Sequence, residues 1–476
     1  MTLASEEPVT RFRPLPALVS LALAAVVLLL PAPMGLPVAA HRTLGVLIAV
    51  AGMWLTEALP VAITALAIPV LGVLLGITDA KGAFAGFGDP IVFLFFGTFL
   101  LTEAAAGHGL EDRITKGVLR SRWVRAQPSR LLWAMAFLGC AISAWINNTA
   151  TTAMLLPLAL TSERFGSRRL LVGVLLMTSY APSLGGLATP VGTAPNLIGL
   201  RLLEQATGVR PSFARWCAVF APLAVIATGL AGAWLVGRTP NTARVPELPP
   251  EAPRPWSRAE RTLVPVFLVV VLLWIAPGIL PATAAGDAPW VKAWQGHLPE
   301  PVVPLLGALL LFTLPAGAAG GARILDVGVL RRVDWGTLLL FGGGLSLGAM
   351  MFESGLARAL GEAIFHAMPI TGTFGIVLAA TLMAVVVSEM TSNTASASLV
   401  VPVVLALAQA AGVDPVKPAL AATVGCSFGF MLPVSTPPNA LVYGTGRVSM
   451  ADMVGNGLLL DVVGVALVAT WVTLFG

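Results

Sequence analysis

The sequence predicts an all-α polytopic membrane protein of about 11 transmembrane helices. It predicts two inverted repeats of five helices, each carrying a re-entrant helical hairpin. Three observations carry this expectation. Apolar runs of membrane-crossing length fill the chain, one polar motif occurs twice, and the loops beside its two copies differ in charge.

The apolar runs set the solvent. The chain is 57% hydrophobic and 11% charged, with a mean hydropathy of +0.88; a soluble domain carries roughly 25% charged residues. Segments 15–30, 44–73, 90–106, 263–279 and 302–314 are nearly free of charge. A bilayer core roughly 30 Å thick needs about 20 helical residues to cross it. A soluble core would require amphipathic helices, whereas these segments are apolar all round. Cys140, Cys217 and Cys426 lie in apolar runs without ligand spacing, and the four histidines are scattered. Neither a disulfide framework nor a metal centre is indicated, and no cofactor is expected. The net charge of +5 sits in loops, where the positive-inside rule explains it better than nucleic-acid binding does. No clustered nucleophile, base and metal set suggests an enzyme.

Taken in order, the N-terminal tail and first helix occupy 1–40, with a crossing near 15–32. That run lacks a small-residue cleavage site and reads as a retained helix. The first repeat, 41–237, begins with two helices in 44–77, broken at Leu59-Pro60, and a helix at 91–107. A polar-tipped segment follows at 131–160, then a broken helix at 170–206 and a helix at 216–237. A Pro/Arg-rich stretch, 238–262, reads as an aqueous linker. The second repeat, 263–476, has helices at 263–281, 301–317 and 335–352, a polar-tipped segment at 377–407, a broken helix at 418–446 and a final helix at 455–475.

The repeat rests on matched landmarks. The stretch from Ser143 through Asn147-Asn148-Thr149 to Pro157 recurs from Ser388 through Ser392-Asn393-Thr394 to Pro402, an offset of 245. Leu94-Phe-Phe-Gly97 answers Leu339-Leu-Phe-Gly342, and Gly107-His-Gly-Leu110 answers Glu353-Ser-Gly-Leu356. Pro190-Val-Gly-Thr-Ala-Pro-Asn196 answers Pro433-Val-Ser-Thr-Pro-Pro-Asn439 at an offset of 243. The same order of landmarks in both halves marks a duplication.

Loop charge orients the halves. Segment 107–130 carries six basic residues against Glu111 and Asp112, whereas 353–375 carries Glu353 and Glu362 against Arg358. Positive loops stay cytoplasmic, so the two segments are expected on opposite faces, with the linker and N-terminus inside. Arg201, Arg210 and Arg215, placed outside, run against this scheme.

Segment 131–160 lies between basic stretches and must enter and leave on one side. Two half-helices of about 10–14 residues meeting near mid-depth would satisfy this, and 377–407 would enter from the other face. Irregular backbone at that depth is tolerated only in protein or against a cavity. Asn148-Thr149 and Asn393-Thr394 are good helix caps, so each second half-helix would present its positive end to an anion. Ser143 and Asn147, with Ser388 and Ser392, offer neutral oxygens suited to a hard cation such as sodium. Gly192-Thr-Ala-Pro195 and Ser435-Thr-Pro437-Pro438 interrupt their helices and would turn carbonyls toward the tips. Glu389, opposite Ala144 in the repeat, either accepts hydrogen bonds from its hairpin or senses protons. Glu57, Glu103 and Asp461 read as interfacial.

These motifs, with Phe341-Gly-Gly-Gly344 and Asp89-Pro-Ile-Val-Phe-Leu-Phe95, resemble the divalent anion/sodium symporter family from about residue 44 onward. The resemblance implies a homodimer in the inner membrane, each protomer having a scaffold and an elevator-like transport part. It implies a small dianion as substrate, such as a C4-dicarboxylate, citrate or sulfate, moved by symport or, alternatively, by sodium-independent exchange. By position, Asn148, Thr149, Asn393, Thr394, Thr436 and Pro437 would bind that anion. One sodium would use Ser143, Asn147, Asn148 and the Gly192 carbonyl; the other Ser388, Ser392, Asn393 and the Ser435 carbonyl. Asn147 departs from the family's usual serine, which bears on the first sodium site.

Overall fold

The computed structural model describes residues 12–119, 121–125, 127–165, 167–239, 255–280, 288–317, 321–367 and 370–476. Linker residues 240–254 lie outside the described residues. Every regular element among those described is helical.

The chain opens with α1 (Pro14–Leu29), α2 (Val38–Thr56) and α3 (Val61–Leu74). Glu57 makes the turn between the last two in the left-handed region, at φ 47°, and Pro60 precedes the new helix. After a short α4 (Ala80–Phe84), Asp89 caps α5 (Pro90–Gly107) by accepting from the Ile91 N–H at 3.0 Å. The amphipathic α6 (Leu110–Leu119) and short α7 (Arg122–Arg125) lead to α8 (Pro128–Ser143) and α9 (Asn148–Thr161), the two arms of the first hairpin. The first broken helix is α10 (Arg168–Gly185) followed by α11 (Ala194–Thr207), and α12 (Phe213–Gly237) closes the half.

The second half repeats the plan. It contains α13 (Arg258–Ile279), a peripheral α14 (Pro289–His297), α15 (Val302–Thr313) and α16 (Trp335–Glu353). Amphipathic α17 (Leu356–Ala367) precedes the second hairpin, α18 (Thr373–Met390) and α19 (Asn393–Ala410). Broken helix α20 (Val416–Gly425) and α21 (Pro437–Gly444) then lead to α22 (Met450–Phe475). Among the described residues nine helices are long and apolar enough to cross a membrane. Three of the four hairpin arms are longer than the expected half-helices, at 16, 18 and 18 residues, and α9 has 14. Their outer turns are covered by α6 and α17, which pack on α8 and α19.

The packing carries the pseudo-symmetry. α8 packs on α10 as α18 packs on α20, and α15 packs on α5 as α3 packs on α16. Across the halves, α11 meets α19 and α20 as α21 meets α9 and α10. Glycines permit the close approaches that lipid-embedded helices need. A Cβ at Gly97 would lie 2.8 Å from the Leu305 nitrogen, and one at Gly343 2.4 Å from the Ala65 carbonyl.

Polar links sort the loops into two faces. Arg13 N donates to Ala58 O, Arg113 pairs with Glu260 and Arg168 pairs with Asp452 on one face. On the other face Asp89, Arg201, Glu204, Arg210 and Glu300 form a chain of ion pairs. Arg201 and Arg210 are thus ion-paired on the face opposite Arg113 and Arg168, and as basic residues there they still run against the charge scheme. Asp461 corrects a reading from the sequence. The last helix starts at Met450, behind a Ser449–Asp452 capping box, so Asp461 lies in the helix interior, 4% exposed, and not at an interface.

Two outcomes test this packing. A Cβ at Gly185 would sit 2.3 Å from the Cys140 carbonyl, backbone against backbone, whereas one at Gly229 meets nothing within 4 Å. Gly185→Ala is expected to destabilise by about 1–3 kcal/mol, read as a lower melting temperature in detergent, with Gly229→Ala as the neutral control. Glu111, on α6 outside the candidate spans, is pushed up to about 7 by burial and by the nearby charge of Glu103. Its protonated form is favoured in the fold, so stability present below the ordinary value of 4.5 is lost as pH rises through about 7. Melting curves from pH 5 to 8 should therefore slope downward by up to about 1.4 kcal/mol per unit from this group, and Glu111→Gln should flatten them.

Candidate functional site

A cavity of about 180 Å³ lies where the two hairpins and the two helix breaks meet. Asn147, Asn148 and Thr149 line it from the first hairpin, and Ser392, Asn393 and Thr394 from the second. Gly192 and Thr193 come from the first break, Thr436 and Pro437 from the second. All six residues expected to bind the anion thus face one space. Of those expected to hold sodium, Asn147, Asn148, Gly192, Ser392 and Asn393 line the cavity. Ser143, Ser388 and Ser435 are fully buried behind it.

Four helices begin at this cavity: α9 at Asn148, α19 at Asn393, α11 at Ala194 and α21 at Pro437. The first amides of each helix lack intrahelical acceptors, so four partial positive ends converge. Among the described residues no lysine or arginine lines the cavity. Val61, Phe95, Phe99 and Leu340 supply an apolar wall. Asp334 and Thr337 stand at its edge on α16, where the Asp334 carboxylate accepts from the Thr337 N–H at 3.0 Å and hydroxyl at 2.6 Å.

The caps fall one residue earlier than the sequence suggested. Asn147, not Asn148, caps α9, accepting from Ala150 N at 2.7 Å. Ser392, not Asn393, caps α19, accepting from Ala395 N at 3.3 Å. Asparagine and serine are equivalent in that role, which accounts for the mismatch between the two copies. The shift frees Asn148 and Asn393 to turn inward. Ser143 Oγ lies 2.8 Å from Asn148 Oδ1, and Ser388 Oγ lies 2.8 Å from Asn393 Oδ1.

Each break is held by an asparagine. Asn196 Nδ2 donates to the carbonyls of Gly186 at 2.9 Å and Thr189 at 2.8 Å. Asn439 Nδ2 donates to Gly429 at 2.9 Å and Leu432 at 3.0 Å. Both side chains are fully buried and take up carbonyls left over when the helix stops. The sequence placed these asparagines in the repeated motif but gave them no role. Their side-chain direction was the missing fact, although an amide at matched positions in two breaks was the available signal.

The glycines at the breaks make room for oxygen. A Cβ at Gly186 would lie 2.7 Å from Asn148 Oδ1 and 3.2 Å from the Gly192 carbonyl. At the counterpart, Gly429, a Cβ would meet Ser435 Cβ at 3.1 Å and both Ser388 oxygens at 3.3 Å.

Glu389 straps the second tip to its break. Its carboxylate accepts from Met431 N at 2.7 Å, Leu432 N at 3.1 Å and Ser435 Oγ at 2.7 Å. The first half does this job differently, with Thr189 Oγ1 donating to the Ala144 carbonyl at 2.5 Å. Asp461 of α22 approaches Glu389 from behind.

Comparison with known proteins agrees with this architecture. The family described as the sodium:sulfate symporter transmembrane region matches residues 13–476. An uncharacterized transporter of Haemophilus influenzae is 33% identical over 440 residues, covering 90% of this chain and 91% of its own. The sodium-dependent dicarboxylate transporter SdcS of Staphylococcus aureus is 28% identical over 460 residues, covering 90% and 85%. Among solved structures, the YdaH transporter of Alcanivorax borkumensis shares the fold, with a TM-score of 0.57, 18% identity and coverage of 91% and 98%. The chain belongs to the sodium:sulfate symporter family and is a multi-pass membrane transporter, not an enzyme.

Proposed function

We propose that this transporter couples the uptake of a small divalent anion, a C4-dicarboxylate such as succinate, malate or fumarate, to sodium. The observation that carries the proposal is the convergence of four helix N-termini on a cavity that no basic side chain among the described residues lines. Half-helix ends favour an anion, but they do not neutralise two full charges, so co-bound cations are required. The tips stand in pairs, each with its own asparagine and threonine, and suit a ligand with two separated anionic ends. The apolar wall of Val61, Phe95, Phe99 and Leu340 favours a carbon skeleton over sulfate, which has none. The name of the S. aureus relative supports the same substrate class.

In this reading Asn148, Thr149, Asn393 and Thr394 hold the carboxylates, and Thr436 and Pro437 flank them. The first sodium takes Ser143, Asn148 and the Gly192 carbonyl, and the second takes Ser388, Asn393 and the Ser435 carbonyl. Asn147 and Ser392 position these groups as caps and offer each ion a remaining lone pair. The crowding supports a cation. Ser388 Oγ lies 2.8 Å from Asn393 Oδ1 and 2.6 Å from the Cys426 carbonyl, and a single hydroxyl proton cannot serve both oxygens. Sodium binding would order the tips, the dianion would follow, and the neutralised site would cross as part of a homodimer. The face bearing Arg113, Arg168 and Arg238 would be cytoplasmic, in a bacterial inner membrane.

Two experiments test the site. Succinate uptake into proteoliposomes should require a sodium gradient, and Asn148→Ala or Asn393→Ala should each reduce it about 10–100-fold, the worth of a hydrogen bond to a charged group. Uptake unchanged when choline replaces sodium would refute the coupling. Gly186→Ala fills the space between Asn148 Oδ1 and the Gly192 carbonyl. It should raise the sodium concentration for half-maximal uptake by about tenfold or more, as expected for roughly 1.4 kcal/mol of overpacking, with Gly229→Ala unaffected.

A further inference from the structure

A second, larger cavity of about 520 Å³ opens on the face that carries Arg168 and shares no lining residue with the first. It lies where α10 begins, α12 ends and α22 begins. Its polar lining is Arg168, Arg169, Arg238, Asp452 and Asn456, and Val172 and Leu235 give it an apolar side. The volume falls in the roughly 300–1,000 Å³ range of small-molecule sites.

Three guanidinium groups here face one carboxylate, and that carboxylate is already committed. Asp452 Oδ2 takes Arg168 Nη2 at 2.6 Å and the Ser449 hydroxyl at 2.6 Å. Arg238 lies 4.0 Å above the Trp234 ring and donates to Asn456 Oδ1 at 3.3 Å. Asn456 is itself fixed, with Nδ2 on the Asp452 carbonyl at 2.6 Å and Oδ1 taking Trp234 Nε1 at 3.0 Å. Asn456 is 7% exposed, so the arginine is held on a buried, oriented support. Among the described residues neither Arg169 nor Arg238 has an ion-pair partner.

We propose that this pocket binds a phosphate group, and that the phosphodiester of an anionic membrane lipid supplies it. Guanidinium groups match phosphate oxygens in a bidentate geometry. The pocket sits at the ends of three helices long and apolar enough to cross a membrane, beside a tryptophan, a setting that suits a lipid headgroup. Basic pockets between helices on the positive face suit such headgroups, and Val172 and Leu235, both buried in the core, close the pocket on its apolar side. The site is independent of the dianion cavity, so the proposal stands or falls without the sodium-coupled reading.

Native mass spectrometry and melting curves of the full chain in detergent test it, using phosphatidylglycerol, phosphatidylcholine and sodium phosphate as probes. Phosphatidylglycerol should be retained and raise the melting temperature, whereas phosphatidylcholine should not. The double variant Arg169→Gln/Arg238→Gln should weaken retention about 30-fold, from two arginines near an anionic surface, and Arg169→Lys/Arg238→Lys, which keeps the charge but not the planar fork, should restore only part of it. If loss of the Trp234 stack unfolds the double variant, Arg169→Gln alone should give about a sixfold loss. A rise with sodium phosphate that the double variant abolishes would identify free phosphate as the source of the same group. Equal retention of phosphatidylglycerol by wild type and variant, or no preference over phosphatidylcholine, would overturn the proposal.

Discussion

A helix that stops inside a hydrocarbon layer leaves carbonyls and amides that no water can satisfy, and the centre of this molecule is arranged around that demand. Two helices break partway along their length and two hairpins turn beside them, so four sets of orphan groups gather in one place. Asn196 and Asn439 answer for the carbonyls, each taking two. Asn147 and Ser392 answer for amides at the hairpin tips. What remains after these internal repairs is a set of amide ends facing a common space. The binding potential of the cavity is therefore the residue of a structural problem solved by neutral side chains.

Neutrality matters to the transport cycle. A lysine or arginine at the tips would satisfy an anion permanently and would carry a fixed charge whenever the site was empty. Half-helix ends and amide oxygens do neither. They give a field that is partial in both signs, which under the proposed function would accept an anion and a cation together and be weak toward either alone.

Much of this was legible from sequence. The repeat offset, the charge contrast between loops and the prolines in the breaks sufficed to place both hairpins and both broken helices within a few residues. All six proposed anion contacts, Asn148 to Pro437, come to one cavity because a duplicated motif in an inverted frame has few other ways to meet. What escaped the sequence was direction and register. The caps moved by one residue, since Asn-Asn-Thr and Ser-Asn-Thr each contain several residues able to cap. Asp461 looked interfacial because its helix was started too late. The acidic partners of Arg201 and Arg210 were invisible, since Asp89 and Glu300 lie about 90–110 positions away in the chain. Glu389 was identified as exceptional, and its contacts show a strap whose counterpart in the other half is a threonine.

The ion pairs from Asp89 through Arg201, Glu204 and Arg210 to Glu300 join α11 to the helices that open with Asp89 and follow Glu300. All but Asp89 keep about a quarter of their side chains in solvent, where a pair contributes only about 0.2–1 kcal/mol. Such a chain sets a resting position without holding it shut. Each contact is weak enough to be exchanged for water, so the chain keeps three helix ends in register without locking them together.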